Sequence, residues 1–281
     1  MRKNFKELFG IPITSAKKAT ILEEIEKWLG KTRKSEEKKK KKQPKTLSIF
    51  TPNPEIIAFS FHDKKFKEIV AKAHINIPDG NGIVWALRFL QKGRIEKISG
   101  VDFVAELCQL SSQKGFRIGL IGGKGKVALS AGECLERSYN NLRVTVLDAP
   151  EIKVAQSPQQ ILIHSNGNPP LGAEKYFRNL ARVVRQKNID ILFVALGHPK
   201  QEYFIHLLSS HFSHFSSRPL VLMAVGGALD YLSGSVPRAP KWVRERGFEW
   251  LFRLLLNPQR LPRQLRGGEF FYRVLMARIH S

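Results

Sequence analysis

An aspartate stands where a buried strand would meet a helix, in the stretch INIPDGNGIVWALRFL, residues 75–90. The apolar run ends at Pro78, and Asp79 then precedes two glycines and a helical pattern of apolar residues. Strand-to-helix turns usually bind anions, and a carboxylate would repel a phosphate there. Asp79 therefore either caps a helix, as aspartate often does, or acts as a general base that takes a proton from a hydroxyl.

Glycine-rich turns follow two other apolar runs, in LIGGKGK and in AVGGALDYL. The first lacks both the dinucleotide fingerprint G-x-G-x-x-G and the Gly-Lys-Ser/Thr ending of a P-loop. It is either a tight turn with close helix packing or a contact for a diphosphate, which its two lysines favour. The candidate residues in these turns are Gly122, Gly123, Gly226 and Gly227.

Polar side chains follow two further apolar runs. In GHPKQE, Gly197 frees the backbone, and Gln201 and Glu202 fall in the first turn of the next helix. A glutamate there either complements the helix dipole or, with the amide beside it, holds sugar hydroxyls. In TPNPEII, Thr51 and Asn53 would edge the same cleft. A Ser-His-Asp order, a metal-binding His pair and a cysteine nucleophile are all missing from the sequence.

One plan recurs between residues 46 and 232: an apolar run, a turn, then a helix. Apolar runs without alternation are typical of a parallel sheet covered on both faces, and strand–turn–helix units in series imply right-handed crossovers. The turns then meet at the carboxyl edge of the sheet, where such folds bind ligands. The sequence predicts an α/β, Rossmann-like, mostly parallel sheet with helices on both faces over residues 1–237, and a C-terminal helical appendage over residues 238–281.

Two segments interrupt this plan. Residues 31–45, KTRKSEEKKKKKQPK, hold nine basic and two acidic residues. They are predicted to form a solvated, disordered loop, or an electrostatic tether to acidic lipids. Residues 150–172 are rich in Pro, Gly, Asn and Gln, which predicts a surface loop.

The C-terminal segment 238–281 is basic and amphipathic, with ten Arg and Lys residues against three acids. Its apolar stripe runs from Trp242 to Leu255, and Pro258 and Pro262 are predicted to break it into short pieces. The pattern fits either a helix packed on the domain or an element at an anionic membrane surface. Guanidinium groups also bind phosphate oxygens bidentately. The candidate arginines are Arg253, Arg260 and Arg263.

The composition limits the class of protein. The formal charge of +23 on 281 residues indicates an anionic partner: nucleic acid, an acidic membrane surface or a phosphorylated substrate. The N-terminus lacks the apolar stretch of a signal peptide, and no run approaches the ~20 apolar residues of a spanning helix. The two cysteines are expected to be reduced, as in a cytosolic protein.

A basic nucleic-acid-binding α/β protein is the remote alternative, but no recognised binding motif supports it. The absent dinucleotide fingerprint argues against an oxidoreductase.

Seven motifs together resemble the WecG/TagA/CpsF family of bacterial glycosyltransferases. In order they are TPNPEII, IPDGNGIVWALR, GVDF, IGLIGGKGKVA, ILFVALGHPKQE, AVGGALDYLSGSVPRAPKW and GFEWLFRLLLNPQRLPR, and they cover most of residues 5–265. The resemblance implies an inverting, metal-independent transferase. It would move N-acetylmannosamine, or a related sugar such as glucose, from a UDP-sugar to N-acetylglucosamine on a polyprenyl diphosphate. Such a reaction builds surface polymers such as wall teichoic acid, at the cytoplasmic face of the bacterial plasma membrane.

The resemblance also assigns roles. Asp79 would be the base that deprotonates the acceptor hydroxyl, with Gly80 beside it. Thr51 and Asn53 would line the acceptor pocket, and the arginines would meet the diphosphates under an appendage that touches the anionic membrane. The donor would lie against Gly122, Gly123, Gly197, Gln201, Glu202, Gly226 and Gly227. No cofactor, metal or nucleic acid is expected, and self-association into a homo-oligomer is left open.

Overall fold

A computed structural model gives the fold of residues 4–36, 46–154, 161–164, 173–215 and 218–280. Its centre is a six-stranded sheet in the order β4-β3-β10-β9-β5-β6, and every strand pair in this sheet is parallel. The prediction of a Rossmann-like, parallel α/β fold is confirmed. The strands of this sheet are β3 (Thr46–Phe50), β4 (Ile75–Asn76), β5 (Arg117–Gly122), β6 (Arg143–Leu147), β9 (Ile191–Ala195) and β10 (Leu220–Ala224).

Helices cover both faces of the sheet, because side chains that alternate along the buried strands enter two separate apolar layers. On β9, Leu192 and Val194 face one layer, and Ile191 and Phe193 face the other. The first layer includes α2, α3, α4, α7, α8 and α12, and the second includes α1, α5, α6 and α9. The helices are α1 (Lys18–Glu36), α2 (Pro54–Ser60), α3 (Lys64–Ala71), α4 (Asn81–Phe89), α5 (Gly100–Lys114), α6 (Val127–Ser138), α7 (Ala173–Gln186), α8 (Lys200–Phe215), α9 (Ala228–Leu232), α10 (Lys241–Glu245), α11 (Glu249–Leu256) and α12 (Leu261–Ile279).

Two antiparallel hairpins lie outside the central sheet. The first pairs β1 (Phe5–Leu8) with β2 (Ile11–Thr14), and the second pairs β7 (Glu151–Val154) with β8 (Ile161–His164). The prediction of a plain surface loop over residues 150–172 is therefore wrong for the two strands. The sequences EIKV and ILIH carry the β-branched residues that favour strands, and the Pro- and Asn-rich composition around them hid this signal. Residues 155–160 and 165–172 lie outside the described structure.

The basic segment at residues 31–45 begins inside a helix, since α1 continues to Glu36. The prediction of a disordered loop is wrong for residues 31–36. Lys, Arg and Glu are good helix formers, so a charged composition alone does not end a helix that is already nucleated. Residues 37–45 lie outside the described structure.

The C-terminal segment forms α10, α11, a 3-10 turn (Pro258–Arg260) and the long α12. Pro258 opens the 3-10 turn, as predicted, but Pro262 falls in the first turn of α12 and does not break it. Helix α12 packs along α2, with Phe270 and Val274 buried in the first apolar layer. None of the described helices combines the length and the apolar character needed to cross a bilayer. A domain boundary at residue 237 stays a prediction.

We expect Phe270→Ala to lower the free energy of unfolding by about 3–5 kcal/mol, because its ring is 0% exposed between α2 and the β1–β2 hairpin, where it meets Phe9. Denaturant titration measures the loss. The matched control is Tyr272→Ala, whose side chain on the same helix is 61% exposed and should cost under about 0.5 kcal/mol. Equal losses in the two variants would contradict the packing of α12.

Candidate active site

The predicted turns meet at the carboxyl edge of the parallel sheet. Gly122 ends β5 beside Ala195, the last residue of β9, and the Gly123 N–H donates to the Ala195 carbonyl across 3.0 Å. A Cβ at Gly122 would lie 2.5 Å from that carbonyl oxygen, and its φ of +105° lies in the left-handed region. Only glycine allows this approach of two backbones. The turn therefore has a structural role, and a diphosphate contact stays a prediction.

Asp79 does not cap the helix that follows it. The N-cap of α4 is Gly80, with a φ of +85° and no side-chain capping bond. Instead, Asp79 Oδ1 accepts a hydrogen bond of 3.2 Å from the N–H of Gly100, which is 21 residues away at the start of α5. The Asp79 N–H donates to the carbonyl of Pro52 at 3.2 Å. The backbone of Asp79 is thus tied to the turn after β3, and its carboxyl to the N-terminus of α5.

Burial raises the pKa of the Asp79 carboxyl to about 6, from an ordinary value of about 3.9. The residue is half-buried, and the partial loss of hydration at its carboxyl disfavours the charged form. The hydrogen bond from Gly100 and the charges of Arg253 and Lys97 lower the pKa, whereas the charge of Glu249 raises it. Desolvation outweighs the hydrogen bond and the cations, so the carboxyl titrates near neutral pH, as a general base must.

Thr51 and Asn53 flank the same turn with different roles. Thr51 is buried, and its Cγ2 lies 3.4 Å from the position that a Cβ on Gly100 would take. It therefore packs beside the residue that donates to Asp79. Asn53 is the N-cap of α2, where its Oδ1 accepts from the Ile56 N–H at 2.9 Å. This gives Asn53 a structural function, and its predicted place in an acceptor pocket stays a prediction.

Gln201 and Glu202 lie in the first turn of α8, as predicted, but both side chains are buried. Gln201 Oε1 accepts from the Gly226 N–H at 2.9 Å, and Gln201 Nε2 donates to Glu202 Oε1 at 2.9 Å. The turn at Gly197, which has a φ of +77°, leads into this helix. These residues connect the ends of β9 and β10. Since Glu202 is 0% exposed, its side chain lies beneath the surface of the cleft.

Arg253 reaches from α11 to the turn after β10. Its guanidinium carbon lies 4.7 Å from the centre of the Tyr231 ring, and its Nη2 lies 2.9 Å from where a Cβ on Gly227 would be. The predicted arginine thus lies on a predicted glycine turn and also acts electrostatically on Asp79. Arg260 ends the 3-10 turn and Arg263 lies in α12, but their side chains fall outside the described structure.

Close contacts that the sequence did not reveal hold the C-terminal segment over this edge. A Cβ on Gly247, which has a φ of +83°, would overlap Asn81 at the start of α4, so this backbone passes directly over that helix. Lys97 Nζ donates to the Arg244 carbonyl at 3.2 Å. A glycine between two helical patterns, such as Gly247, indicates a break between helices, but its position in the sequence does not indicate that Asn81 is its neighbour.

An ion pair anchors the start of the same segment. Arg238 Nη1 lies 2.6 Å from Asp102 Oδ1 in the first turn of α5, and Arg238 Nη2 donates to Ser99 Oγ at 3.4 Å. Burial raises the pKa of Asp102, but the hydrogen bond and charge of Arg238 outweigh it, so the pKa is lowered overall. Two carboxyls therefore lie at the N-terminus of α5. The carboxyl of Asp102 pairs with Arg238, and that of Asp79 accepts from the Gly100 N–H.

The chain matches the glycosyl transferase WecG/TagA/CpsF family over residues 6–281. It belongs to this family. A Bacillus subtilis (strain 168) relative, 31% identical over 77% of this chain and 74% of its own, is named N-acetylglucosaminyldiphosphoundecaprenol N-acetyl-beta-D-mannosaminyltransferase. Proteins with the same name are 30% identical in Bacillus spizizenii (79% of this chain, 76% of the relative) and 26% identical in Staphylococcus aureus strain MRSA252 (83% and 81%). The predicted family and its glycosyltransferase class are confirmed.

We expect Asp79→Asn to stabilise the protein above pH 6 by about 1–3 kcal/mol. The unfolded chain loses this proton near pH 4, whereas the folded protein keeps it to about pH 6. The wild type therefore loses stability as pH rises through this window, and asparagine keeps the acceptor for Gly100 without titrating. Urea denaturation at pH 4 and pH 7.5 measures the difference, which should be small at pH 4.

Asp102→Asn is the matched control, because the net pKa of Asp102 is shifted in the opposite direction. Its carboxylate contributes stability above the unfolded pKa, and this contribution is lost as pH falls through the folded value. The variant should therefore be less stable than the wild type at pH 7.5. If Asp79→Asn also destabilised the protein at pH 7.5, the raised pKa of the Asp79 carboxyl would be contradicted.

Proposed function

We propose that the protein transfers N-acetylmannosamine from a UDP-sugar to the N-acetylglucosamine of N-acetylglucosaminyldiphosphoundecaprenol, with inversion at the anomeric carbon. The acceptor and the transferred sugar follow the names of the family's Bacillus and Staphylococcus relatives. The observation that carries the proposal is the desolvated carboxyl of Asp79, whose pKa is about 6, at the edge where family motifs from five strand ends meet. A base there suits proton removal from a sugar hydroxyl.

The chemistry assigned to Asp79 is a single displacement. Its carboxylate takes the proton of the acceptor hydroxyl, whose oxygen forms the new bond to the anomeric carbon of the donor. The bond from that carbon to the diphosphate oxygen breaks, and UDP leaves with the electron pair. Inversion follows because the attacking and leaving oxygens lie on opposite faces of the sugar. The hydrogen bond from Gly100 Nα to Oδ1 orients the carboxyl, so positioning contributes to the rate.

The donor diphosphate is assigned to the cleft between the Gly122–Gly123 and Gly226–Gly227 turns. Arg253 supports this placement, since its guanidinium lies on Gly227, and a guanidinium can neutralise charge that develops on a departing diphosphate. A cation from the chain in this position is the reason to expect transfer without a metal. Metal independence and the absence of a nucleic-acid partner stay predictions, and self-association into a homo-oligomer stays open.

The lipid-linked acceptor calls for a membrane-facing surface near the cleft. Helices α10 and α11 expose a group of large apolar side chains beside basic residues, and this combination suits an anionic interface. The exposed side chains are Trp242, Phe248, Trp250, Leu251, Leu255 and Leu256. The formal charge of +23 adds long-range attraction to acidic lipids. We therefore place the protein peripherally on the cytoplasmic face of the plasma membrane, with this surface against the lipid.

Asp79→Asn is expected to lower kcat by about 10²–10⁴-fold, because asparagine cannot accept the proton of the acceptor. The assay is UDP release from UDP-N-acetylmannosamine with a lipid-diphosphate N-acetylglucosamine acceptor, run with magnesium and with chelator. Wild-type turnover should depend on the acceptor and persist in chelator, and its kcat/KM should fall below about pH 6. Full turnover in Asp79→Asn would leave Asp79 only its structural bond to Gly100. Failure of the wild type with a panel of UDP-sugars would overturn the transferase proposal.

The double variant Trp250→Ser/Leu255→Ser should weaken binding to vesicles with anionic phospholipid by about tenfold or more, because each side chain loses apolar burial in the interface. Vesicle sedimentation measures the affinity. The matched control is Ile279→Ser, which is 74% exposed at the far end of α12 and should bind as the wild type does. A similar loss in the control would show that binding is not localised to α10 and α11.

A further inference from the structure

We propose that Glu202 is a positioning residue that sets the Gly226–Gly227 turn through Gln201, and that it does not contact the donor. The role rests on the proposed function, because the turn is the place assigned to the donor diphosphate. It replaces the prediction that Glu202 binds the donor directly.

Burial excludes Glu202 from the surface of the cleft. Its side chain is 0% exposed and Gln201 is 3% exposed. Glutamates are almost never fully buried unless they are paired, since removal of a carboxylate from water is costly. The reason for its place is therefore to be found in its contacts inside the protein.

The hydrogen bonds of this cluster have a fixed direction. The Gly226 N–H can only donate. The Gln201 amide must therefore turn its oxygen towards Gly226 and its nitrogen towards Glu202, whose Oε1 accepts, and both contacts are 2.9 Å. Without an acceptor at residue 202, the amide would lose one of the two partners that fix its orientation. The flipped amide would present N–H groups to the Gly226 N–H.

His198 lies beside the other oxygen of the same carboxyl group. Its Nδ1 lies 3.4 Å from Glu202 Oε2, and its ring packs edge-on against Phe59 and Phe66 at 4.8 and 4.9 Å between centroids. Within the described residues, Oε2 and both ring nitrogens have no hydrogen-bond partner. On this side the carboxyl faces the His198 ring without a hydrogen bond, and the hydrogen bond that it accepts comes from Gln201, on the side of the turn.

The Gly226–Gly227 turn depends on the hydrogen bond from Gly226 to Gln201 because of its backbone conformation and its contact with Arg253. Gly226 has a φ of +53°, and Gly227 carries the Arg253 guanidinium at 2.9 Å from its notional Cβ. A change in the Gly226 N–H direction would move the surface on which Arg253 lies. Glu202 therefore acts on the donor side of the reaction, at a distance, through the turn on which Arg253 lies.

The test compares Glu202→Leu, which removes the acceptor, with Glu202→Gln, which keeps an acceptor oxygen of the same reach. Amide hydrogen exchange at Gly226 reports the turn directly, and the KM for the UDP-sugar and kcat report the reaction. In Glu202→Leu we expect exchange at Gly226 and the donor KM each to rise about tenfold or more, with the acceptor KM within about threefold. Glu202→Gln should restore both values to near wild type.

Asp190→Leu is the control for loss of a buried carboxylate as such. Asp190 is 0% exposed at the start of β9, at the opposite end of that strand, where it accepts from the Arg117 N–H at 2.9 Å. It should lower stability without a selective change at Gly226 or in the donor KM. Unchanged Gly226 exchange in a folded Glu202→Leu variant would overturn the positioning role, as would failure of Glu202→Gln to restore it. Exchange at Gly226 decides the role even if the wild type transfers no sugar, so the two proposals fail separately.

Discussion

The partial burial of one carboxyl at the edge of the sheet is the constraint on which the candidate site depends. Asp79 loses part of its hydration among the turns after β3 and β4, the first turn of α5 and the segment from α10 to α11, and its pKa rises to about 6. A solvated aspartate on the same edge would be a much weaker base at neutral pH. The parallel sheet supplies the edge, since all of its carboxyl ends point to one side, and the C-terminal helices supply the cover.

The cover is held by contacts of different physical kinds. Asp102 and Arg238 form an ion pair at 2.6 Å, Gly247 lets the backbone pass over Asn81, and Phe270 fixes α12 in the apolar layer shared with α2. Helix α2 begins at the turn beside Asp79, so α12 braces an element that itself borders the site. Stability and function therefore depend on the same C-terminal residues, through packing far from the edge and through charge close to it.

The fold and the placement of the turns could be predicted from the sequence because both follow local patterns. Apolar runs followed by glycine indicate buried parallel strands, and Gly122 behaves as that pattern requires. The partners of individual side chains could not be predicted, because they depend on where distant segments pack. Nothing local links Asp79 to Gly100, and a glutamate in a first helical turn, such as Glu202, has the pattern of a surface residue that complements the helix dipole. The strands β7 and β8 could not be predicted because the Pro-, Gly-, Asn- and Gln-rich composition of residues 150–172 favours a loop, and each strand has only two β-branched residues.

The position of Glu249 on α11 has a consequence for water as a competing acceptor. Its negative charge helps to raise the pKa of Asp79, and α11 is part of the cover rather than of the sheet. A chain with α11 turned aside would lose this charge together with the opposing charge of Arg253 on the same helix, so the two electrostatic changes would offset each other. Greater hydration of Asp79 would then return its carboxyl towards ordinary acidity, and its base strength would be highest in the closed arrangement. Under the proposed function, an open enzyme that holds the donor would be poorly equipped to activate water, and this would protect the donor from hydrolysis until the acceptor is in place.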